Sequence, residues 1–204
     1  WITHTGAPLP PPETRPTPAL TGGVPAVTFA TGPLLDIRGV PDVFLAVIGA
    51  ASESLTLSTP YFVPGAEIGA ALRAAALRGV KVQLIVPRVN DSHFVALASR
   101  SAYPALVAAG IEIFEHGPGI LHAKTLVADG RVVLVGSANL DRRSFTLNYE
   151  NNLLAEDPAL AREVALLQAR WIAASVAIDG ASLARWSWPR RLMMNLIAIM
   201  APVL

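Results

Sequence analysis

No cysteine occurs among the 204 residues, which excludes disulfide frameworks, thiolate zinc sites and cysteine nucleophiles. Charge of one sign is lacking too. Lys plus Arg number 16 against 15 Asp plus Glu, a formal net charge of +1, and so balanced a chain has no broad basic field of the kind that follows a nucleic-acid backbone. No nucleic-acid partner is therefore expected. Long apolar runs are also missing: 52% of residues are hydrophobic and mean hydropathy is +0.47, yet nothing approaches the roughly 20 apolar residues that cross a bilayer. Trp1 opens no basic region followed by an apolar stretch, so no signal peptide is read, and a start without Met suggests a fragment. No internal repeat is evident.

What is present fits one substantial core. Residues 6–18 hold Pro8, Pro10, Pro11, Pro12, Pro16 and Pro18, a density that forbids helix and sheet interior, so residues 1–23 are read as an extended lead-in. From there strand and helix patterns alternate. Strands are expected at 24–30, 55–59, 80–86, 111–114, 121–128, 131–135 and 152–155, and helices at 41–53, 66–78, about 92–109 with a disturbance at Pro104, and 158–177. The pattern predicts an α/β lobe over 24–180, a mixed sheet of about seven strands with helices on both faces. Residues 181–204 form an apolar and basic terminal segment. Its stretch from Leu192 onward is apolar except for Asn195 and follows Trp186, Trp188, Arg190 and Arg191; this suits a membrane interface or a helix docked on its own domain.

The most informative segment runs His122, Ala123, Lys124, then Asp129, then Gly136, Ser137, Ala138 and Asn139. Side chains alternate along a strand, so His122 and Lys124 share a face. A two-residue turn at Asp129 and Gly130 sets His122 opposite Ser137 and Lys124 opposite Val135, so that His122, Lys124, Ser137 and Asn139 project together unless Gly136 ends the pairing. Such a set suits phosphoryl chemistry. An imidazole can attack phosphorus or pass a proton to a leaving alkoxide, an ammonium neutralises phosphoryl oxygens, and hydroxyl and carboxamide add directional donors. No metal or other cofactor is required. Asp129 falls on the opposite parity inside the turn, where it holds the hairpin through local hydrogen bonds.

These residues resemble the signature of the phospholipase D superfamily, and the flanks narrow the resemblance to cardiolipin synthases: residues 59–64 (TPYFVP), 98–101 (ASRS), 121–125 (LHAKT), 136–144 (GSANLDRRS) and 147–150 (LNYE). The resemblance implies a catalytic motif of His122, Lys124 and Asp129, with Ser137 and Asn139 binding the substrate phosphate and Glu150 orienting an imidazole, possibly one on a facing lobe. It also implies a phosphatidyltransferase acting on phosphatidylglycerol through a phosphohistidine intermediate, in which His122 acts as acid and base. In this family two such lobes face each other, and this chain carries one motif. The expected partners are thus a phospholipid, a membrane surface and a second lobe, from a missing amino-terminal half or a homodimer mate. The expected location is a bacterial-type cytoplasmic membrane, held peripherally or through a missing amino-terminal part.

Competing readings are a homodimeric superfamily phosphodiesterase or nuclease and an inactive isolated lobe. His116 suggests a metal pair with His122, but Lys124 would repel a cation and no acidic cluster accompanies them. His93 lines a head-group pocket or simply meets solvent. Tyr61 and Phe62 are ligand contacts or core, and Arg142 and Arg143 hold a second phosphate or pair with surface acids.

Overall fold

The computed structural model describes residues 22–32 and 39–199. Most of the proline-rich lead-in lies outside them. Among the described residues the chain runs β1 (Ala26–Thr31), α1 (Gly39–Ala50), β2 (Ser54–Ser58), α2 (Ala66–Leu77), β3 (Lys81–Pro87), α3 (His93–Ala108), β4 (Glu112–His116), β5 (Thr125–Ala128), β6 (Val132–Gly136), α4 (Arg142–Thr146), β7 (Glu150–Glu156), α5 (Pro158–Ala173), β8 (Ser175–Ile178), α6 (Gly180–Ala184) and α7 (Trp188–Ile199). Helix boundaries follow local chemistry. Ser92, Asp141, Asp157 and Asp179 each accept a backbone N–H from the first turn of α3, α4, α5 and α6, satisfying donors that a helix start leaves orphaned.

The strands form one mixed sheet in the order β1-β7-β6-β5-β2-β3-β4-β8. The pairs β2–β3 and β3–β4 are parallel, joined through α2 and α3, while the other pairs are antiparallel. Alternation sorts the strand side chains between two layers. Leu55, Leu57, Leu126 and Leu134 join residues of α1, α2 and α3 in the larger core, whereas Val127 and Val133 meet Ala161 and Val164 of α5 on the opposite face. Helices therefore cover both faces, as the sequence pattern predicts. Helix α3 continues through Pro104, and α7 packs on α3.

Two expectations are corrected. The sheet has eight strands, because the helix expected to reach Ala177 stops at Ala173 and Ser175–Ile178 pairs antiparallel with β4. Alanine-rich sequence favours helix there, but the open edge of β4 supplies ladder hydrogen bonds that a longer helix would forgo. The β5–β6 turn also includes Arg131: Ala128 pairs with Val132 and Thr125 with Val135, one residue away from the register a two-residue turn dictates. Arg131 is drawn into the turn by its main chain, whose N–H donates to the Ala128 carbonyl at 3.0 Å and whose carbonyl accepts from Asp157 N at 2.8 Å.

Candidate active site

One end of the sheet gathers the reactive groups. There β2, β3 and β6 finish and β5 and β7 begin. His122 and Lys124 precede β5 on irregular backbone, so the expected strand parity does not position them. The last main-chain contact of the hairpin does: Gly136 N donates to the Lys124 carbonyl at 3.2 Å. The Lys124 Nζ then folds back, 3.1 Å from His122 Nδ1 and 3.4 Å from Nε2, and donates to the His122 carbonyl at 3.0 Å. An ammonium has only hydrogens to give, so Lys124 approaches the ring as a donor. Burial lowers the Lys124 pKa, while the carboxylates of Glu150 and Asp141 pull it back up. His122 itself is exposed.

Beyond β6 the chain turns through a tight passage. A Cβ built on Gly136 would stand 2.1 Å from Asn152 Oδ1 and 2.8 Å from the Asn151 carbonyl, so only glycine allows this approach. Ser137 follows, and its hydroxyl is already engaged. It donates to Glu150 Oε2 and accepts from Asn151 N at 2.9 Å. Glu150, buried at 7% exposure, also accepts from Asn148 Nδ2 at 3.1 Å, so its carboxylate holds Ser137 and Asn148. Residues 138–141 are clamped against the chain beyond β2: Phe62 bridges to Leu140, Val63 N donates to the Leu140 carbonyl at 2.9 Å, and Leu140 N donates to Thr59 Oγ1 at 3.3 Å. The clamp holds Asn139 buried, its Oδ1 without a hydrogen-bond partner.

A cavity of about 410 Å3 opens beside this clamp, lined in part by Tyr61, Ser92, Asn139, Asp141, Arg143 and Asn148. Asp141 is buried, which raises its carboxyl pKa against the hydrogen bonds from Ser144 and Asn139. Tyr61 donates to Asp91 with both carboxylate oxygens at 2.8 Å; desolvation first, then Asp91, raises its pKa. A larger and more apolar cavity, about 700 Å3, lies at the other end of the sheet beside Val27, Val47 and Leu154. Its polar groups Asp129, Arg131 and Glu156 are paired already. The smaller cavity is the one that shares Asn139 with the segment following β6.

Asp129 stands apart from His122, Lys124, Ser137, Asn139 and Glu150. It sits at the far end of β5, roughly four strand residues or about 13 Å from the reactive edge. Its hydrogen bonds are not local to the hairpin as expected: the carboxylate accepts from Ser52 N and Oγ and from Glu53 N and Ser54 N, at 2.8 to 2.9 Å. These donors hold its pKa down at about 2 against the opposing effect of desolvation. With φ at +50°, it serves as the tie between the β5–β6 turn and the start of β2.

His116 is buried, with Nδ1 3.1 Å from the Trp171 carbonyl, which makes it a packing residue. No group of three or more His, Cys, Asp or Glu that could hold a metal ion occurs among the described residues. His93 and Arg142 are exposed, Phe62 is core, and Arg143 borders the cavity. Sequence reasoning missed Asp141, Asn148 and the Tyr61–Asp91 pair. Asp141 carried a signal, since an Asp just ahead of a short helix is an N-cap and lies two residues past Asn139; Asp91 is 30 residues from Tyr61, beyond any local pattern.

Comparison with known proteins places the chain in a family and a fold. The family model described as "Cardiolipin synthase, PLD-like domain" matches residues 44–171. The chain is 36% identical over 207 residues to Cardiolipin synthase A of Serratia proteamaculans (strain 568), covering 100% of this chain and 43% of that protein. With Cardiolipin synthase A of Yersinia pestis it shares 39% identity over 191 residues, 92% of this chain and 38% of the relative. The chain thus spans about two fifths of the length of these curated relatives. Among solved structures, a phospholipase D family member, Nuc from Salmonella typhimurium, aligns with a TM-score of 0.67 at 22% identity, over 78% of this chain and 100% of that one. Phosphatidylserine synthase of Haemophilus influenzae Rd KW20 aligns with a TM-score of 0.66 at 16% identity, over 88% and 48%. At these identities the two structures establish the shared fold.

Proposed function

The chain belongs to the cardiolipin synthase family of phospholipase D-like domains, and from that premise we propose that it is one catalytic lobe of a phosphatidyltransferase that joins phosphatidylglycerols with release of glycerol. The observation that carries this reading is the Lys124 ammonium 3.1 Å from the His122 ring: one phosphate placed against both would meet a proton carrier and a positive charge together. In the first step an imidazole of the completing lobe attacks phosphorus, and the bond to the glycerol oxygen breaks as His122 delivers a proton to that oxygen. In the second, His122 takes the proton of an acceptor hydroxyl, which displaces the imidazole and forms the new phosphodiester. Lys124 offsets charge on the phosphoryl oxygens and Asn139 directs its amide toward them. Ser137, held by Glu150, keeps the segment between β6 and α4 in place, and Asp129 stabilises the fold without touching substrate.

A second reading, completion of the site by another copy of this chain, is favoured by one observation. Nuc from S. typhimurium is matched over its whole length by this single lobe, so a protein of one-lobe length can carry this fold. The net charge of +1 speaks against a nucleic-acid substrate for such a dimer.

Labelled phosphatidylglycerol in detergent micelles tests the chemistry, offered to this chain alone and to the chain joined to a second lobe. Label is expected on the second lobe's histidine, with none on the chain alone. His122→Ala should slow its turnover, and Lys124→Ala should lower transfer by about two to three orders of magnitude, the usual cost of removing a donor aimed at developing charge. Label recovered on His122 would reverse the assigned roles.

A further inference from the structure

Helix α7 docks with one side and leaves the other bare. Met194 is buried at 2% exposure, whereas Trp188, Leu192, Leu196 and Ile199 are 74%, 50%, 57% and 73% exposed. Their spacing of four, four and three residues places all four side chains within an arc of about 80°, at about 100° per residue, on the side away from Met194. A contiguous stripe of large apolar groups is costly to leave in water and marks a contact surface.

The charge around the stripe has one sign. After Asp179 the sequence holds Arg185, Arg190 and Arg191 and no Asp or Glu. Arg190 lies over the Trp186 ring at 4.6 Å from its centroid. Arg191 donates to the Leu183 carbonyl at 2.8 Å, on the border of a cleft of about 330 Å3 that it shares with Pro104, Val107 and Leu183. Cationic groups beside an apolar cleft and an apolar stripe match the two ends of an anionic phospholipid.

We propose that α7 is an interfacial anchor whose Trp188–Leu192–Leu196–Ile199 stripe enters an anionic lipid surface, with Arg191, about 60° outside the stripe by the same count, at the level of the phosphates. A second copy is a poorer occupant. Face-to-face pairing would bring Arg191 toward its own kind, and a stripe four side chains long falls short of the roughly 800 Å2 per partner that stable interfaces bury. The inference extends the proposed function, because an enzyme whose substrate is embedded in a bilayer gains effective concentration by lying on it.

Flotation of this chain with vesicles tests the idea, using phosphatidylcholine alone and phosphatidylcholine with about a third phosphatidylglycerol. Strong partition is expected only onto the anionic vesicles, weakening at high salt, with a blue shift of tryptophan emission that Trp188→Phe removes. The pair Leu192→Asp and Leu196→Asp, both at exposed positions, should reduce partition by at least roughly tenfold. The same change at Leu166 and Leu167, which are 57% and 45% exposed on α5, should leave it unaltered. Absence of wild-type binding, or equal loss in both double variants, overturns the proposal. So does a wild-type dimer in sedimentation that the α7 variant dissolves, which would assign the stripe to a second copy. Labelling in micelles needs no bilayer docking, so a failure of flotation alone leaves the transfer chemistry standing.

Discussion

At the scale of single residues, an ionised group is valued by what holds its charge. Asp129 accepts four hydrogen bonds from residues 52–54, more than 70 positions earlier in the chain. Asp129→Ala leaves three backbone N–H groups to find other partners, and is expected to destabilise the fold by about 2 kcal/mol, since bonds to a charged acceptor are among the stronger ones. Urea unfolding measures this. The pH dependence has a definite sign: the folded pKa, about 2, lies below the ordinary carboxylate value, so the stabilisation is complete above about pH 4 and is lost as pH falls toward 2. The Asp129→Ala protein should lack that part of the acid dependence. If the variant keeps wild-type stability while losing transfer in the two-lobed enzyme, Asp129 acts on substrate and the structural reading is wrong.

At the scale of elements, α3 is tied to β4 by a partly buried ion pair. Arg100 Nε donates to Glu115 Oε1 at 2.8 Å, and Tyr103 Oη donates to the same oxygen at 3.3 Å. Burial raises the Tyr103 pKa, and the neighbouring Glu115 carboxylate adds to the shift. Glu115→Ala therefore leaves a sheltered guanidinium unpaired and is expected to cost about 3 kcal/mol, while adding Arg100→Met should recover much of it, because removing both charges removes the desolvation penalty. A double variant no more stable than the single one would contradict this. Such a tie joins distant segments, and the same distinction decides what the sequence could disclose. Helices α1 to α3 and the parallel strands between them were legible from periodicity and Gly or Pro stops, which are local. The fold of the site was legible from the His122–Lys124 and Gly136–Asn139 segments, but the hairpin register was not. Asp129 and Gly130 look like a complete two-residue turn, and only tertiary contacts to Arg131 extend it. The strand β8 was hidden for a similar reason, since the unpaired edge of β4 recruits residues whose local preference is helical.

At the scale of the whole molecule, the reactive edge is ringed by side chains that a monomer would not be expected to expose. Val89, Phe94, Ile120, Leu147 and Tyr149 are 64%, 62%, 58%, 59% and 68% exposed, and all lie in loops or at a helix start at the end of the sheet that holds His122. A two-step transfer needs one imidazole bonded to phosphorus while another moves the proton, and this edge supplies a single exposed histidine of the motif. On the proposed two-lobe reading, the apolar rim is the seat for the lobe that brings the other. Covering a Phe or Leu removes it from water at a gain of about 2 kcal/mol, so Phe94→Asp combined with Leu147→Asp should weaken complementation by a separately supplied second lobe by at least roughly tenfold, at little cost in urea stability because both side chains are exposed in the single lobe. On the proposal that the α7 stripe faces lipid rather than the partner lobe, the variant with Leu192→Asp and Leu196→Asp should complement like wild type in micelles. Titrating transfer against the second lobe separates the two surfaces. Unchanged complementation by the Phe94 and Leu147 variant would mean that the completing imidazole arrives by another route.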